Sequence, residues 1–576
     1  MATINGTNGA DHIEGSDGID IINALGGNDV VNGNKGDDIA NLGDGDDEFG
    51  WVPGDGSDTV DGGAGLDTLD FDGANADENI QIFANAGKAI FFRDVASVQM
   101  TLTNVETIEF EALGGSDLVT VNSLAGTAVK QVEIDLAGVH DGTTGDGVED
   151  TVVVNGAGPT AGVAANDVIK LSLTGTGADA TVHVAGLAAE TTISHFDAGD
   201  HLTVNGLGGN DRIDAGLLPS SMTLTLDGGE GNDALIGSAG ADLLLGGAGN
   251  DLVVGGKGDD VALLGAGDDT FAWAPGDGSD TIEGGLGIDT MAFLGAAANE
   301  TIDISANHGR TTFFRDVAAV NMDMNDVERI QFSALGGTDK VTIHDLTGTD
   351  TTRIDIDLAA TAGGTTGDGA IDSVAVEGTA GTDKISVSSP AGAIVVGGLQ
   401  ATVVVHSTEA GDVLTIDAGA GDDVIHAGAV AAGRVSLVEL GGAGTDKLVG
   451  GAAADVLNGG AGTDAMTGGG GADRFVFSSA ADSVVGGGAD QILDFSHAQG
   501  DRIDLSAIDA NAGVAGDQAF TFIGSGGYTH HAGELRFAFT SPTTTTIAGD
   551  INGDGVSDFH IALIGNITLT AADFVL

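Results

Sequence analysis

Aspartate recurs every nine residues at the start of this chain: Asp11, Asp20, Asp29, Asp38, Asp47, then, after a two-residue insertion, Asp58 and Asp67. Two positions after each stands Ile13, Ile22, Val31, Ala40, Phe49, Val60 or Leu69, and glycines crowd the positions before. Six glycine-rich residues make a tight turn, because glycine tolerates positive φ, and the three that follow make a minimal strand. Two such units close one flattened coil, so residues two repeats apart stack at the parallel-strand spacing of about 4.8 Å. Asp11 is then expected under Asp29, and Asp29 under Asp47. Carboxylates that close repel unless a cation lies between them, and Ca²⁺ takes 6–8 hard oxygen ligands. The spacing therefore predicts calcium chemistry, with Asn28 beside Asp29 counted among the ligands.

The pattern returns twice. Asp233, Asp242, Asp251, Asp260, Asp269, Asp280 and Asp289 repeat the first series, insertion included, at a constant offset of 222 residues from Asp11 to Asp233 onward. A shorter array, Asp446, Asp455, Asp464 and Asp473, carries Leu448, Leu457, Met466 and Phe475 at its inward positions. Roll-like turns also place Asp200 and Asp211 ahead of the second array, and Asp412 and Asp423 ahead of the third. The purest copies, LGGNDVV around Asp29 and GGAGLDTL around Asp67, match the nonapeptide G-G-x-G-x-D-x-U-x with U apolar. In these motifs the chain resembles the RTX (repeats-in-toxin) proteins, which implies a β-roll binding several Ca²⁺ ions.

The elements that would carry these aspartates form an all-β, right-handed parallel β-roll or β-helix solenoid, tandemly duplicated. Residues 1–72 read as a first roll and 73–199 as a strand repeat of wider coils, with short Val/Ile/Thr strands in QVEIDLAG and EDTVVVNGAG. Residues 200–294 read as a second roll, 295–411 as a second strand repeat and 412–475 as a third roll. GDDEFGWVPGDGSDTVDGGAGLDTLDF and GDDTFAWAPGDGSDTIEGGLGIDTMAF are corresponding segments of the two copies. Trp51 and Trp273 occupy equivalent places, where core packing is expected, and Arg93–Asp94 and Arg315–Asp316 read as local ion pairs at coil corners.

Residues 476–576 differ. GADRFVFSSAADSVVGGGADQILDFSHAQGDRIDLSAIDAN, QAFTFIG, AGELRF, GDINGDGVSDFHIAL and LTAADFVL resemble the C-terminal domain of serralysin-type metalloproteases. The resemblance implies a type I secretion signal at the extreme end, where Asp573 precedes Phe574, Val575 and Leu576, and hence the type I secretion machinery as a partner. Asp550, Asn552, Asp554 and Asp558 spell D-x-N-x-D-G, the opening of an EF-hand-type loop, but Ile561 stands where the twelfth-position glutamate belongs. The motif reads equally as a weak calcium site or as a structural Asx turn.

The chain has 87 acidic against 18 basic residues, a formal charge of −69, which argues against nucleic acid and acidic membranes as partners. Aromatics make up only 4 % of it, so the core must be thin layers of Val, Ile, Leu and Ala, as suits a solenoid. It has no cysteine, leaving calcium as the available staple. No stretch approaches the ~20 apolar residues that span a bilayer, and MATINGTNGADHIEG lacks the basic and apolar regions of a classical signal peptide. HExxH, G-x-S-x-G and G-x-x-x-x-G-K-[ST] are absent, and the adjacent His530 and His531 point to opposite faces of any strand. No catalytic residue is therefore expected. The reading is a secreted, extracellular calcium-binding structural protein of a surface layer, matrix or adhesive, with self-assembly or cell-surface polysaccharide as candidate partners. A polysaccharide lyase or epimerase on a coil face, or a calcium-dependent secretion module, is the alternative.

Overall fold

The computed structural model describes residues 1–159 and 165–576 and divides into two compact units, Met1–Thr290 and Met291–Leu576. Residues 160–164 of the expected first strand repeat lie outside the described residues.

Unit one begins as the nine-residue spacing dictates. Strands Asp20–Gly26, Ile39–Asp44 and Thr59–Ala64 stack in parallel along one face, with Ile22 opposite Ala40 and Ala40 opposite Val60. Strands His12–Glu14, Val30–Asn32, Glu48–Trp51 and Thr68–Asn75 stack along the other, aligning Ile13, Val31, Phe49 and Leu69. All these inward residues are buried. Alternation along each strand sends one side chain to the core and the next to solvent, so the two faces close on a single layer of apolar side chains. Trp51 packs flat on Phe71 with ring centroids 4.0 Å apart and donates its indole N–H to the Gly56 carbonyl at 2.8 Å, which is the core role expected of it.

The wider coils depart from a purely parallel solenoid. Strand Asn79–Asn85 reverses at Ala86 and Gly87, both at positive φ, into Lys88–Arg93, which pairs antiparallel with it. Val98–Thr103 then pairs antiparallel with Lys88–Arg93 before Thr107–Gly114 rejoins the parallel stack on Thr68–Asn75. Two residues at positive φ give the tight turn whose twist suits a hairpin, and here that turn lengthens a coil without interrupting its register. Val168–Thr174, Thr181–Ala185 and Glu190–Ser194 make a second antiparallel excursion.

Unit two repeats both devices, with hairpins Thr301–Asn307/Arg310–Arg315/Val320–Asn325 and Lys384–Ser388/Ile394–Gly397/Thr402–His406. Its third roll stacks Lys447–Val449, Ala465–Thr467 and Asp490–Ile492 on one face. The end domain adds an antiparallel meander, Glu534–Ser541, Thr544–Asp550 and Phe559–Ile564, whose last strand stacks on Asp490–Ile492. The terminal strand Phe574–Val575 pairs with Arg502–Asp504, so the expected secretion segment is folded into the sheet. No helix among the described residues is long and apolar enough to cross a membrane.

Candidate metal centre

Step after step, the coils bring an aspartate of one turn onto the backbone of the next, with Glu106 in that place above Asp67. The Asp29 carboxylate accepts the Asp11 N–H through Oδ1 at 2.8 Å, Asp47 accepts from Asp29 at 2.8 Å, and Asp67 accepts from Asp47 at 3.0 Å. Asp38 and Asp58 form the matching row on the opposite edge, accepting from Asp20 at 2.6 Å and from Asp38 at 2.7 Å. Asp251 accepts from Asp233, Asp260 from Asp242, Asp269 from Asp251, Asp280 from Asp260 and Asp289 from Asp269. In the third array Asp446, Asp464 and Asp473 accept from Asp423, Asp446 and Asp455.

The second carboxylate oxygen divides these residues into two classes. In Asp29, Asp38, Asp47, Asp58, Asp67, Asp211, Asp233, Asp251, Asp260, Asp269, Asp280, Asp423, Asp446, Asp464 and Asp473, Oδ2 is closed off from solvent and accepts no hydrogen bond. In Asp11, Asp20, Asp242 and Asp455 that oxygen is capped by the residue four positions earlier: the Thr7, Ser16, Ser238 and Gly451 N–H groups donate to it at 2.5–2.7 Å. The distinction is local and backbone-encoded. Ahead of the uncapped Asp29, Asp47 and Asp251 stand Leu25 (φ 82°), Gly43 (φ 119°) and Gly247 (φ 105°), a left-handed conformation in which the turn offers Oδ2 no N–H. The chain itself thus donates to Oδ2 of Asp11, Asp20, Asp242 and Asp455, whereas the aspartates that open the second and third arrays, Asp233 and Asp446, are among those left with a bare buried oxygen.

A buried carboxylate oxygen without a donor is costly unless a cation meets it. The surroundings fit Ca²⁺. A Cβ placed on Gly228 would lie 2.5 Å from Asp233 Oδ2 and 2.6 Å from the Gly246 carbonyl oxygen. One on Gly206 would meet Asp211 Oδ2 at 2.5 Å and the Gly228 carbonyl at 2.6 Å. Glycine here vacates a space on which a carboxylate and a carbonyl of the next coil converge, the hard-oxygen set calcium takes. Burial, reinforced by the carboxylates above and below, pushes Asp58 up to about 7, Asp260 to about 8 and Asp269 to about 7.

The ladder also runs where the nonapeptide does not. Asp117 accepts the Glu78 N–H, Asp150 that of Asp117, and Asp200 that of Asp150, at 2.8–3.0 Å. In unit two Glu300, Asp339, Asp372 and Asp412 are linked in the same way. Glu78, Asp117, Asp150, Asp339 and Asp372 were not among the expected ligands. The GGSD and GGTD turns before Asp117 and Asp339 were their signal, diluted by coils of unequal length. Asp490 likewise extends the third array, accepting from Asp464 at 2.9 Å.

Several expectations are corrected or refined. Arg93 does not pair with Asp94. It lies buried against Glu78, donating from Nε at 2.5 Å, and Asp94 instead accepts the Asn79 N–H at 2.9 Å. Arg315 is buried against Glu300 in the same way. The hairpin end carries each arginine inward, so a guanidinium meets the ladder carboxylate where no other cation is needed. Asn28 lies in a separate, exposed row, its amide oxygen accepting the Asp46 N–H at 3.2 Å. Asp200 and Asp412 have both oxygens occupied, the second by the Asp197 and Glu409 N–H groups.

In the end domain the oxygens of the D-x-N-x-D loop serve its own turns. Asp550 accepts from Gly553 and Gly555, Asn552 from Asp554, Asp554 from Val556, and Asp558 from Ile551, an arrangement that favours the Asx-turn reading. His530 and His531 turn to different partners, the Asp554 carbonyl and Thr529. Among the inward positions that depart from the apolar rule is an acidic one. Glu439 is fully buried in strand Ser436–Leu440 with neither oxygen hydrogen-bonded, and burial beside Asp455 and Asp473 raises it to about 8.

Two protein-family models match the chain. The RTX calcium-binding nonapeptide repeat matches residues 5–40, 14–49, 54–75, 227–262, 245–272 and 276–291. The peptidase M10 serralysin C-terminal model matches residues 367–576, beginning about a hundred residues before the segment in which the resemblance was read. No curated protein matches the chain. Among solved structures, the AlgE6R3 subunit of the Azotobacter vinelandii mannuronan C5-epimerase is 32% identical, covering 24% of this chain and 72% of that one, with a TM-score of 0.18. The AlgE6R2 subunit of the same enzyme is 23% identical over 34% of this chain and 90% of its own, with a TM-score of 0.20. The extracellular lipase LipA from Serratia marcescens is 17% identical over 66% of this chain and 45% of its own, with a TM-score of 0.18.

Proposed function

Because the chain carries RTX calcium-binding nonapeptide repeats and a serralysin-type C-terminal domain, we propose that it is a secreted protein that folds on Ca²⁺ outside the cell and there serves as a structural component of a surface layer, matrix or adhesive. The observation that carries this reading is the set of buried aspartate oxygens without a hydrogen-bond donor found in each of the two units. Bound calcium supplies the positive charge that lets those carboxylates stack.

The protein's own residues do the rest. Oδ1 of each ladder aspartate fixes the coil register, the left-handed turn residue withholds a donor from Oδ2, and glycine clears the space beside it. Where calcium is scarce, a chain of net charge −69 repels itself and stays open. At the roughly 10⁻⁴–10⁻³ M typical of extracellular modules, metal binding and folding become one event. The structural role is supported by the repetition of the same scaffold, hairpins included, in both units.

Light scattering and negative-stain imaging from chelator to about 10 mM Ca²⁺, above the extracellular affinity range, test it. Compaction followed by ordered sheets or fibres is expected. A particle that compacts and stays monodisperse removes the structural role while leaving the calcium reading intact.

A further inference from the structure

Outside the ladder, strand Thr68–Asn75 and strand Thr107–Gly114 run side by side with Asp72 directly opposite Glu111, both facing outward. A loop folds back over them, closed by the Ala137–Gly145 bridge, by Gly138 N–H donating to the Thr144 carbonyl at 3.0 Å and by Gly142 N–H donating to Val139 at 2.8 Å. Its tip brings His140 Nδ1 to 2.6 Å from Glu111 Oε2 and 3.4 Å from Asp72 Oδ1. One ligand atom from each of the three residues lies within 4.8 Å of the others. Asp72 Oδ1 is closed to solvent and accepts no hydrogen bond, whereas the His140 side chain is 56% exposed, leaving the open side of the cluster to water.

The second unit supplies an internal control. Its equivalent loop has the same Ala359–Gly367 bridge, and Ala360 and Gly364 donate to Thr366 and Thr361 at 3.1 and 2.8 Å. At the three positions 222 residues on, however, stand Leu294, Ser333 and Ala362. The loop therefore keeps its shape without the histidine, and the three groups are present together in one copy and missing together in the other. A need to hold the loop does not account for that; a shared ligand does.

We propose that Asp72, Glu111 and His140 form a site for a first-row transition-metal ion, best suited to Zn²⁺, chemically distinct from the calcium ladder. One imidazole nitrogen and two carboxylate oxygens are zinc donors, with a fourth position left for water, whereas calcium sites are built from oxygen. The ion takes the place of the His140 Nδ1–Glu111 Oε2 hydrogen bond and gives Asp72 Oδ1 its partner.

The test uses the full chain folded in about 10 mM Ca²⁺, so that the ladder is filled. Calorimetric titration with Zn²⁺ is expected to show one site per chain, and zinc-edge X-ray absorption to show one nitrogen among oxygens. His140→Ala should weaken binding about a hundredfold, the upper end of what losing a mere outer-shell partner costs. Glu111→Ser installs the residue the second unit already tolerates and should weaken it too, with calcium-induced circular dichroism unchanged. No zinc binding in saturating calcium, an all-oxygen shell, or an affinity indifferent to both substitutions overturns the site.

Discussion

Arg93 shows how much depends on where one charge is carried. It faces Glu78 with 4% of its side chain exposed, and Glu78 has none. Removing one partner of such a pair leaves an uncompensated buried charge, at a cost of about 3–5 kcal/mol. Arg93→Met is therefore expected to lower the stability of the calcium-loaded protein by that amount in urea unfolding, and Asp94→Ala by about 1 kcal/mol, the worth of one hydrogen bond. Equal effects would restore the corner pair with Asp94. Sequence adjacency suggested Arg93–Asp94 because ion pairs are easiest to see between neighbours. The true partner lies fifteen residues back, and only the hairpin brings it near. Glu439 is hidden for the opposite reason: it stands at a buried place in its strand, where alternation calls for an apolar residue. By contrast, Val31, Phe49 and Leu69 were read correctly, since a period of two leaves strand residues no other face to bury.

At the scale of the coil, the alternation of capped and bare carboxylates makes two predictions. Gly228→Ala puts a methyl group between Asp233 Oδ2 and the Gly246 carbonyl without asking for positive φ, since Gly228 is not in that region. Bound calcium, measured by elemental analysis after dialysis, should fall by one ion per chain; an unchanged count would place the ion elsewhere. The second concerns acid. Asp58, Asp260 and Asp269 titrate in the metal-free fold at about 7, 8 and 7, against about 3.9 for unfolded aspartate. The folded chain binds more protons than the unfolded one across that window, so its metal-free stability falls as pH rises through it. In chelator, lowering the pH from about 8 to about 5 should increase β-structure by circular dichroism, protons partly replacing calcium. A spectrum that loses β-structure on acidification would contradict this. The nine-residue rolls were legible because one coil repeats with one spacing. The wider coils were not, since Asp117, Asp150 and Asp200 are separated by 33 and 50 residues while serving one unbroken row.

Across the whole molecule, two units share one plan and differ in what they add to it. Both hold a buried arginine against a ladder glutamate and both make two hairpin excursions. Only the first carries the Asp72–Glu111–His140 cluster, and the third roll and the end domain belong to the second. The duplication is visible in the sequence as a constant offset, but nothing in a linear text says that residues 72, 111 and 140 meet.

The capped aspartates are rungs that need no ion. Asp20 and Asp242 are complete without an ion, whereas Asp38 and Asp58, and Asp260 and Asp280, in the rows that continue from them must wait for one. Where the residue four positions before the aspartate turns its N–H toward Oδ2, as Thr7, Ser16, Ser238 and Gly451 do, that rung is set by the chain alone, and the coils stacked on it are the ones left to an ion.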